Sequence, residues 1–146
     1  MNASSVLRSR NGFTLVELAV VMVIIGVLAA FGVPRFIRSV ERSKAAESYA
    51  YLAAVAAAQE RFHAKQGTYC PDIAELDIKF SSPKYFSIGS LTPGGTGSLE
   101  DSWSLTLTRT GSSAGNGAYT VTFNELGYDS ENSTISDMPD INPMGS

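Results

Sequence analysis

An apolar block near the N-terminus constrains this chain more than any other feature. Residues 13–33 form a run of 21 residues in which only Thr14 and Glu17 are clearly polar. As an α-helix this run would span about 30 Å, which matches the hydrocarbon core of a bilayer. A secretory signal has a shorter apolar region, of roughly 7 to 15 residues. Three interpretations follow: a cleaved secretory signal, a plain membrane anchor, or a membrane helix with a further purpose.

Glu17 is the residue that most needs an explanation. An ionised carboxylate inside a membrane helix costs several kcal/mol unless it is paired, so such a residue is a functional hypothesis by default. Glu17 also lies only four residues inside the block, where it could stay hydrated near the headgroups. The positive end of the helix dipole would stabilise its negative charge there. The residue chemistry leaves both interpretations open.

Charge and cysteine content limit the possible functions. The 146 residues fit one domain and carry a net charge of −3. Without residues 1–12, which include Arg8 and Arg10, 9 basic side chains face 14 acidic ones, a charge of −5. We therefore expect no specifically bound nucleic acid.

The single cysteine, Cys70, excludes an internal disulfide, so it is a free thiol or an intersubunit crosslink.

The sequence has no constellation typical of an enzyme or a metal centre. His63 is the only histidine, and phosphate-loop, metal-cluster and paired-carboxylate motifs are absent. We predict a protein that is not an enzyme, with no cofactor and no metal. Acidic residues between 129 and 146 make a calcium site conceivable, but their spacing matches no calcium loop, and a solvated acidic tail is the preferred interpretation.

The stretch Gly12-Phe13-Thr14-Leu15-Val16-Glu17-Leu18 resembles the class III signal of type IV pilins and pseudopilins. The resemblance is close over residues 8–45 and covers the remainder only in general layout. It implies that prepilin peptidase cleaves a leader, residues 1–12, between Gly12 and Phe13 and methylates the new Phe13 amine.

The resemblance also implies how the subunit assembles. Glu17 would meet the Phe13 amine of a neighbouring copy, and Leu15 and Leu18 would pack laterally in a helical filament. The implied partners are further copies of the chain, prepilin peptidase, the inner-membrane assembly machinery and the inner membrane itself. The N-terminus would be cytoplasmic before assembly, although a count of basic residues flanking the block favours the opposite orientation.

A second half of the helix should follow the apolar block. Gly26 and Pro34 would soften the helix, with a kink or loosening near residues 30–34. Residues 35–66 would continue it with an apolar stripe and a C-cap at Gly67. The stripe contains Ile37, Val40, Tyr49, Leu52, Val55 or Ala56, Gln59 and Phe62, and charged residues including Glu41, Arg42, Lys44 and Glu47 fill the remaining faces.

Residues 67–146 should form a β-rich head. Alternating residues predict strands at 84–88, 102–109 and 118–123, and the last two would form an antiparallel hairpin. Residues 91–99 contain three glycines and a proline and predict a mobile loop. The expected fold is α+β and pilin-like: apolar helix 13–34, amphipathic continuation 35–66, and a small antiparallel sheet packed on that continuation.

The preferred function is a structural subunit of a type IV pilus that serves adhesion, motility or DNA uptake. The first alternative is a pseudopilin of a type II secretion system, which would act in the periplasm rather than outside the cell. The second alternative is a single-pass anchor that presents a binding module, and in that case Glu17 would be incidental.

Overall fold

The computed structural model describes residues 12–145, and its longest element is helix α1, Leu15–Gln66. Helix-favouring alanines and leucines fill much of this segment. The last turn carries His63 and Lys65, which suit the negative end of the helix dipole. Gly67 ends the helix with φ +75°, and its N–H donates to the His63 carbonyl at 2.8 Å. The predicted C-cap is confirmed.

The chain divides into two compact units at Arg35. In the first unit, residues 15–35 are helical and every described side chain is exposed. Pro34 lies inside α1, which continues through it. The softening expected from Gly26 and Pro34 stays a prediction. Residues 1–11 of the predicted leader lie outside the described residues.

The second unit contains a five-stranded antiparallel sheet. Its strands are β1 (Phe86–Ile88), β2 (Thr92–Pro93), β3 (Trp103–Arg109), β4 (Thr120–Asn124) and β5 (Gly127–Asp129). The order is β1-β3-β4-β5, and β2 also pairs with β3. Leu105 lies opposite Phe123 and Leu107 opposite Val121, which confirms the predicted hairpin.

The core of this unit lies between the sheet and the second half of α1. Trp103, Leu105 and Leu107 alternate along β3 and are fully buried. They belong to one apolar cluster with Leu52 and Val55 of the helix. This arrangement is the predicted α+β fold, a long helix with a small antiparallel sheet.

The head leaves the first residues of the apolar stripe uncovered, because Ile37 and Val40 are 43% and 38% exposed. The prediction for Glu41 is wrong: the sequence assigns it to the charged faces of the helix, but it is 1% exposed and lies on the covered face. The head covers α1 only from Glu41 onwards, where Arg109 supplies the partner that a buried carboxylate needs.

The solvated acidic tail predicted over residues 129–146 is confirmed for exposed Glu131, Asp137 and Asp140, but up to residue 145 its apolar side chains pack into the head. A 3₁₀ helix covers Thr134–Asp137, and the side chains of Ile135 and Ile141 are fully buried. Acidic Asp137 and Asp140 are exposed, so the charges face solvent while the isoleucines anchor the segment. Within the predicted loop 91–99, Leu91 is likewise buried and β2 pairs with β3.

Candidate assembly site

The start of α1 is a reciprocal capping box. The Thr14 hydroxyl accepts the Glu17 N–H at 3.2 Å, and Oε2 of Glu17 accepts the Thr14 N–H at 3.4 Å. These bonds satisfy two of the backbone donors that every helix N-terminus leaves unpaired. The Thr-x-x-Glu spacing is visible in the sequence, yet none of the interpretations of Glu17 included a hydrogen bond to the Thr14 N–H.

This box fixes where the Glu17 carboxylate lies. The carboxylate is held at the positive end of the helix dipole, on the N–H of Thr14, the residue that follows Phe13. Of the two carboxylate oxygens of Glu17, only Oε2 has a hydrogen-bond partner within residues 12–145. A second donor, such as an amine, could therefore approach Oε1 without displacing the box.

The predicted lateral contacts lie on a fully exposed apolar surface. Phe13, Leu15 and Leu18 are 76%, 83% and 57% exposed. None of them belongs to the buried apolar cluster formed within residues 12–145. A Cβ added at Gly26 would meet no atom within 4 Å, so this chain gives no internal packing reason for the glycine. The N-terminal part of α1 is also long and apolar enough to cross a membrane.

A buried ion pair connects the head to the first covered turn of α1. Arg109 donates from Nε to Oε1 of Glu41 at 2.6 Å and from Nη2 to Oε2 at 3.1 Å. The Tyr119 hydroxyl donates to the same Oε1 at 2.9 Å. Burial pushes the pKa of Glu41 up, but the Arg109 and Tyr119 hydrogen bonds outweigh it and hold the pKa below its usual value.

Two spacings could have revealed this pair. Arg109 follows Leu107 by two residues and so shares the inward face of β3. Glu41 precedes buried Ala45 by four residues and so lies on the covered face of α1. The sequence analysis did not assign Arg109 and Glu41 to buried faces, because charged side chains are rarely buried.

A second junction fastens the chain after the helix. The amide of Gln59, fully buried, donates to the Cys70 carbonyl at 3.0 Å and accepts the Cys70 N–H at 2.8 Å. The Cys70 side chain is itself fully buried, and burial raises the pKa of its thiol. A neutral buried thiol is unsuited to the intersubunit crosslink that the sequence left open.

The N-terminal part of the chain and the part that follows it each match a known protein family. Residues 7–33 match the family described as "Prokaryotic N-terminal methylation motif", and residues 34–134 match the family described as "Type IV minor pilin ComP, DNA uptake sequence receptor". No solved structure matches the chain.

Individual relatives are also pilins. The chain is 37% identical over 91 residues to the type IV narrow pilus major component PilA5 of Thermus thermophilus, which covers 62% of this chain and 72% of that protein. It is 44% identical over 59 residues to the type IV major pilin PilA of Myxococcus xanthus, and 53% identical over 38 residues to the type IV major fimbrial protein FimA of Dichelobacter nodosus. These matches span 27% and 24% of those two relatives.

The second family model alone covers more than half of the chain, and the Thermus relative is matched over most of its length. The chain therefore belongs to the type IV pilins, in the family described as the ComP type IV minor pilin.

Proposed function

We propose that this pilin polymerises into a type IV pilus through its N-terminal helix. The observation that supports the proposal is the uniform exposure of residues 12–35, an apolar surface with no partner inside the described chain. Apolar surface of this extent is stable only in lipid or against other apolar surfaces. A membrane satisfies this need before assembly, and the helices of other copies satisfy it in the filament.

Processing at the predicted site would prepare the first turn for this role. Cleavage between Gly12 and Phe13 creates an amine one residue before the capping box. Methylated Phe13 of one copy and Glu17 of its neighbour would then pair, which neutralises two charges that would each be costly alone in an apolar core. Leu15 and Leu18 supply lateral packing, and Gly26 and Pro34 supply a compliant stretch of helix.

The pilus is preferred over the two alternatives because of the relatives. Those named above are a major pilin, a narrow pilus component and a fimbrial protein. We infer that the subunit resides in the inner membrane before assembly and in an extracellular fibre afterwards. The assembly machinery of the inner membrane and prepilin peptidase would be its partners.

The test combines N-terminal sequencing with electron microscopy of sheared surface fibres. The mature protein should begin at methylated Phe13. Glu17→Ala should insert into the membrane but assemble poorly, whereas Glu131→Ala, which removes an exposed acid of the head, should leave fibre yield unchanged. A mature protein that begins at Met1 or beyond Ala30 would sink the proposal, as would normal fibres from Glu17→Ala. A periplasmic fibre instead of a surface one would favour the pseudopilin.

A DNA receptor is a second candidate, because residues 34–134 match a family described by that activity. The charge of −5 beyond residue 12 argues against general attraction to DNA. The detergent-solubilised full chain should therefore bind random duplex DNA weakly at low salt. Binding of one duplex sequence at physiological salt, with random duplexes as competitor, would support the receptor role instead.

A further inference from the structure

An apolar recess lies at one end of the head. Its volume is about 400 Å³, and it lies between the first head residues of α1 and the connection from β3 to β4. The apolar part of its helix side consists of Phe36, Ile37 and Val40, which are 70%, 43% and 38% exposed, and Glu41 and Lys44 line the same side. Ser112 and Ala114 form the opposite side. Apolar side chains left open in this way mark a contact surface rather than a core.

A single apolar knob projects from the turn between β4 and β5. Leu126 is 89% exposed, more than any other large apolar side chain within residues 12–145. The turn that carries it is held firmly. The Leu126 N–H donates to Oδ1 of Asn124 at 2.9 Å, and Gly127 adopts φ +107° where it pairs with Asn124. Leu126 is therefore presented in a fixed position without any packing role in its own subunit.

The knob and the recess lie at opposite ends of the head. Asn124, next to the knob, pairs with Ser104 at the start of β3, and Trp103 beside it contacts Tyr69 just after the end of α1. The recess lies beyond the other end of the hairpin, next to Val40. Val40 and His63 are 23 residues apart on α1, or about 35 Å.

The charges at the two ends also differ in sign. The pKa of Tyr69, near the knob, is raised mainly by burial and further by the negative carboxylates of Glu60, Asp101 and Glu125. Arg61 and Lys65 are the cations on that end of α1. Near the recess, the cations Arg38, Arg42, Lys44 and Arg109 outnumber the two acids that pair with them: Asp140 pairs with Arg38, and Glu41 pairs with both Arg109 and Lys44. Opposite signs at two surfaces of one molecule favour contact between copies.

The geometry points to a head-to-tail contact in which Leu126 of one copy inserts into the recess of a second copy. A heterologous contact of this kind uses two different surfaces, so one end of a growing row keeps a free knob, the other end keeps a free recess, and the assembly continues. This inference rests on the proposed filament. It adds a contact between heads to the contact between N-terminal helices.

The test uses two exposed positions that face each other only if the contact forms. Leu126→Cys and Ala114→Cys are introduced together, and sheared fibres are treated with a short bis-maleimide before denaturing electrophoresis. Native Cys70 is buried and serves as the background in every variant. The double variant should give a ladder of multimers. Co-expression of the two single variants should give dimers and no higher species, and each single variant alone should stay monomeric.

A second measurement uses assembly itself. Leu126→Asp should reduce fibre yield at least tenfold, while Leu126→Met should retain it. Because Leu126 makes no core contact, both variants should keep the fluorescence of buried Trp103. Two results together overturn this contact but leave the helix-driven filament intact: normal fibres from Leu126→Asp, and no crosslinked multimers from the Leu126→Cys, Ala114→Cys double variant. Dimers from Leu126→Cys alone, or a crosslink to another protein, also overturn it. If the unchanged chain forms no fibre, the proposed function fails and this contact fails with it.

Discussion

Arg109 of β3 and Glu41 of α1 form an ion pair whose two side chains are each 1% exposed. The residues are 68 positions apart in sequence, and their shortest contact is 2.6 Å. The Arg109 guanidinium also donates to the carbonyls of Tyr85, Thr110 and Ser112. One buried group thus joins the helix, the end of β3 and the connection that follows it.

Removal of one partner from this pair should strongly destabilise the head. Glu41→Leu leaves the guanidinium buried without its counter-charge, and we expect a loss of about 3–5 kcal/mol in the free energy of unfolding. The control is Asp140→Asn, which breaks the ion pair with Arg38 at 3.0 Å, where both side chains are mostly exposed. That change should cost about 0–1 kcal/mol. Urea unfolding of the detergent-solubilised chain, followed by the fluorescence of its only tryptophan, measures both. Equal losses of unfolding free energy in Glu41→Leu and Asp140→Asn would contradict the conclusion that the Glu41–Arg109 pair stabilises the head more than a surface ion pair does.

The same pair predicts a specific pH dependence. The pKa of Glu41 is lower in the folded head than its usual value, so its contribution to stability is present above about pH 4.3 and is lost as the pH falls through the folded pKa. The difference in unfolding free energy between the unchanged chain and Glu41→Gln should therefore shrink between pH 5 and pH 3. Asp129→Asn should be compared in parallel, because hydrogen bonds from Asn132 also lower the pKa of Asp129. A Glu41→Gln difference that stays constant with pH would refute the prediction.

The sequence predicted the elements whose signal is local. The alternation along β3, Trp103 to Leu107, and the Gly67 cap could be recognised because each depends on a few neighbouring residues. Glu41 and Ile135 were misassigned because their burial depends on partners far along the chain. A carboxylate becomes a core residue only where the fold brings a cation to it, and that encounter leaves no local pattern.

At the candidate assembly site the residue types could be predicted from the motif, but their geometry could not. Gly12, Phe13 and Glu17 could be named from the motif, yet the bond between Glu17 and the Thr14 N–H emerged from the structure. Leu126 left no signal at all, because a single leucine in a turn is common and its exposure depends on the whole head.

Gln59 should be the most sensitive neutral polar residue of α1. Its amide makes two hydrogen bonds to the backbone of Cys70, so Gln59→Leu leaves a buried N–H and a buried carbonyl unpaired. Each orphaned group costs about 1–3 kcal/mol. Gln59→Glu should also destabilise, because a carboxylate cannot donate to the Cys70 carbonyl. The exposed Gln66→Leu is the matched control and should change the free energy of unfolding by less than about 0.5 kcal/mol. Indistinguishable effects of Gln59→Leu and Gln66→Leu would exclude this role.

The capping box should control fraying of the first turn of α1. Thr14→Ala removes the acceptor for the Glu17 N–H and should weaken the cap by about 1 kcal/mol, which corresponds to about fivefold faster amide exchange at Glu17. Thr14→Ser keeps the hydroxyl and should retain the protection. Hydrogen exchange of the micelle-bound chain resolves the two variants. Equal exchange rates would show that the box does not hold the turn.

Gly89 should tolerate no side chain, although its backbone is not in the left-handed region. It follows β1, and its N–H donates to the Thr106 carbonyl at 3.0 Å. A Cβ at Gly89 would lie 2.7 Å from that same carbonyl oxygen, which belongs to the backbone of β3 and cannot move without disturbing the sheet. Gly89→Ala should therefore cost about 1–3 kcal/mol through overpacking. Gly95→Ala is the matched control, because a Cβ there meets nothing within 4 Å, and it should change stability by less than about 0.5 kcal/mol. Tryptophan fluorescence during urea unfolding measures both variants, and a Gly89→Ala chain as stable as the Gly95→Ala chain would show that β1 does not lie this close to β3.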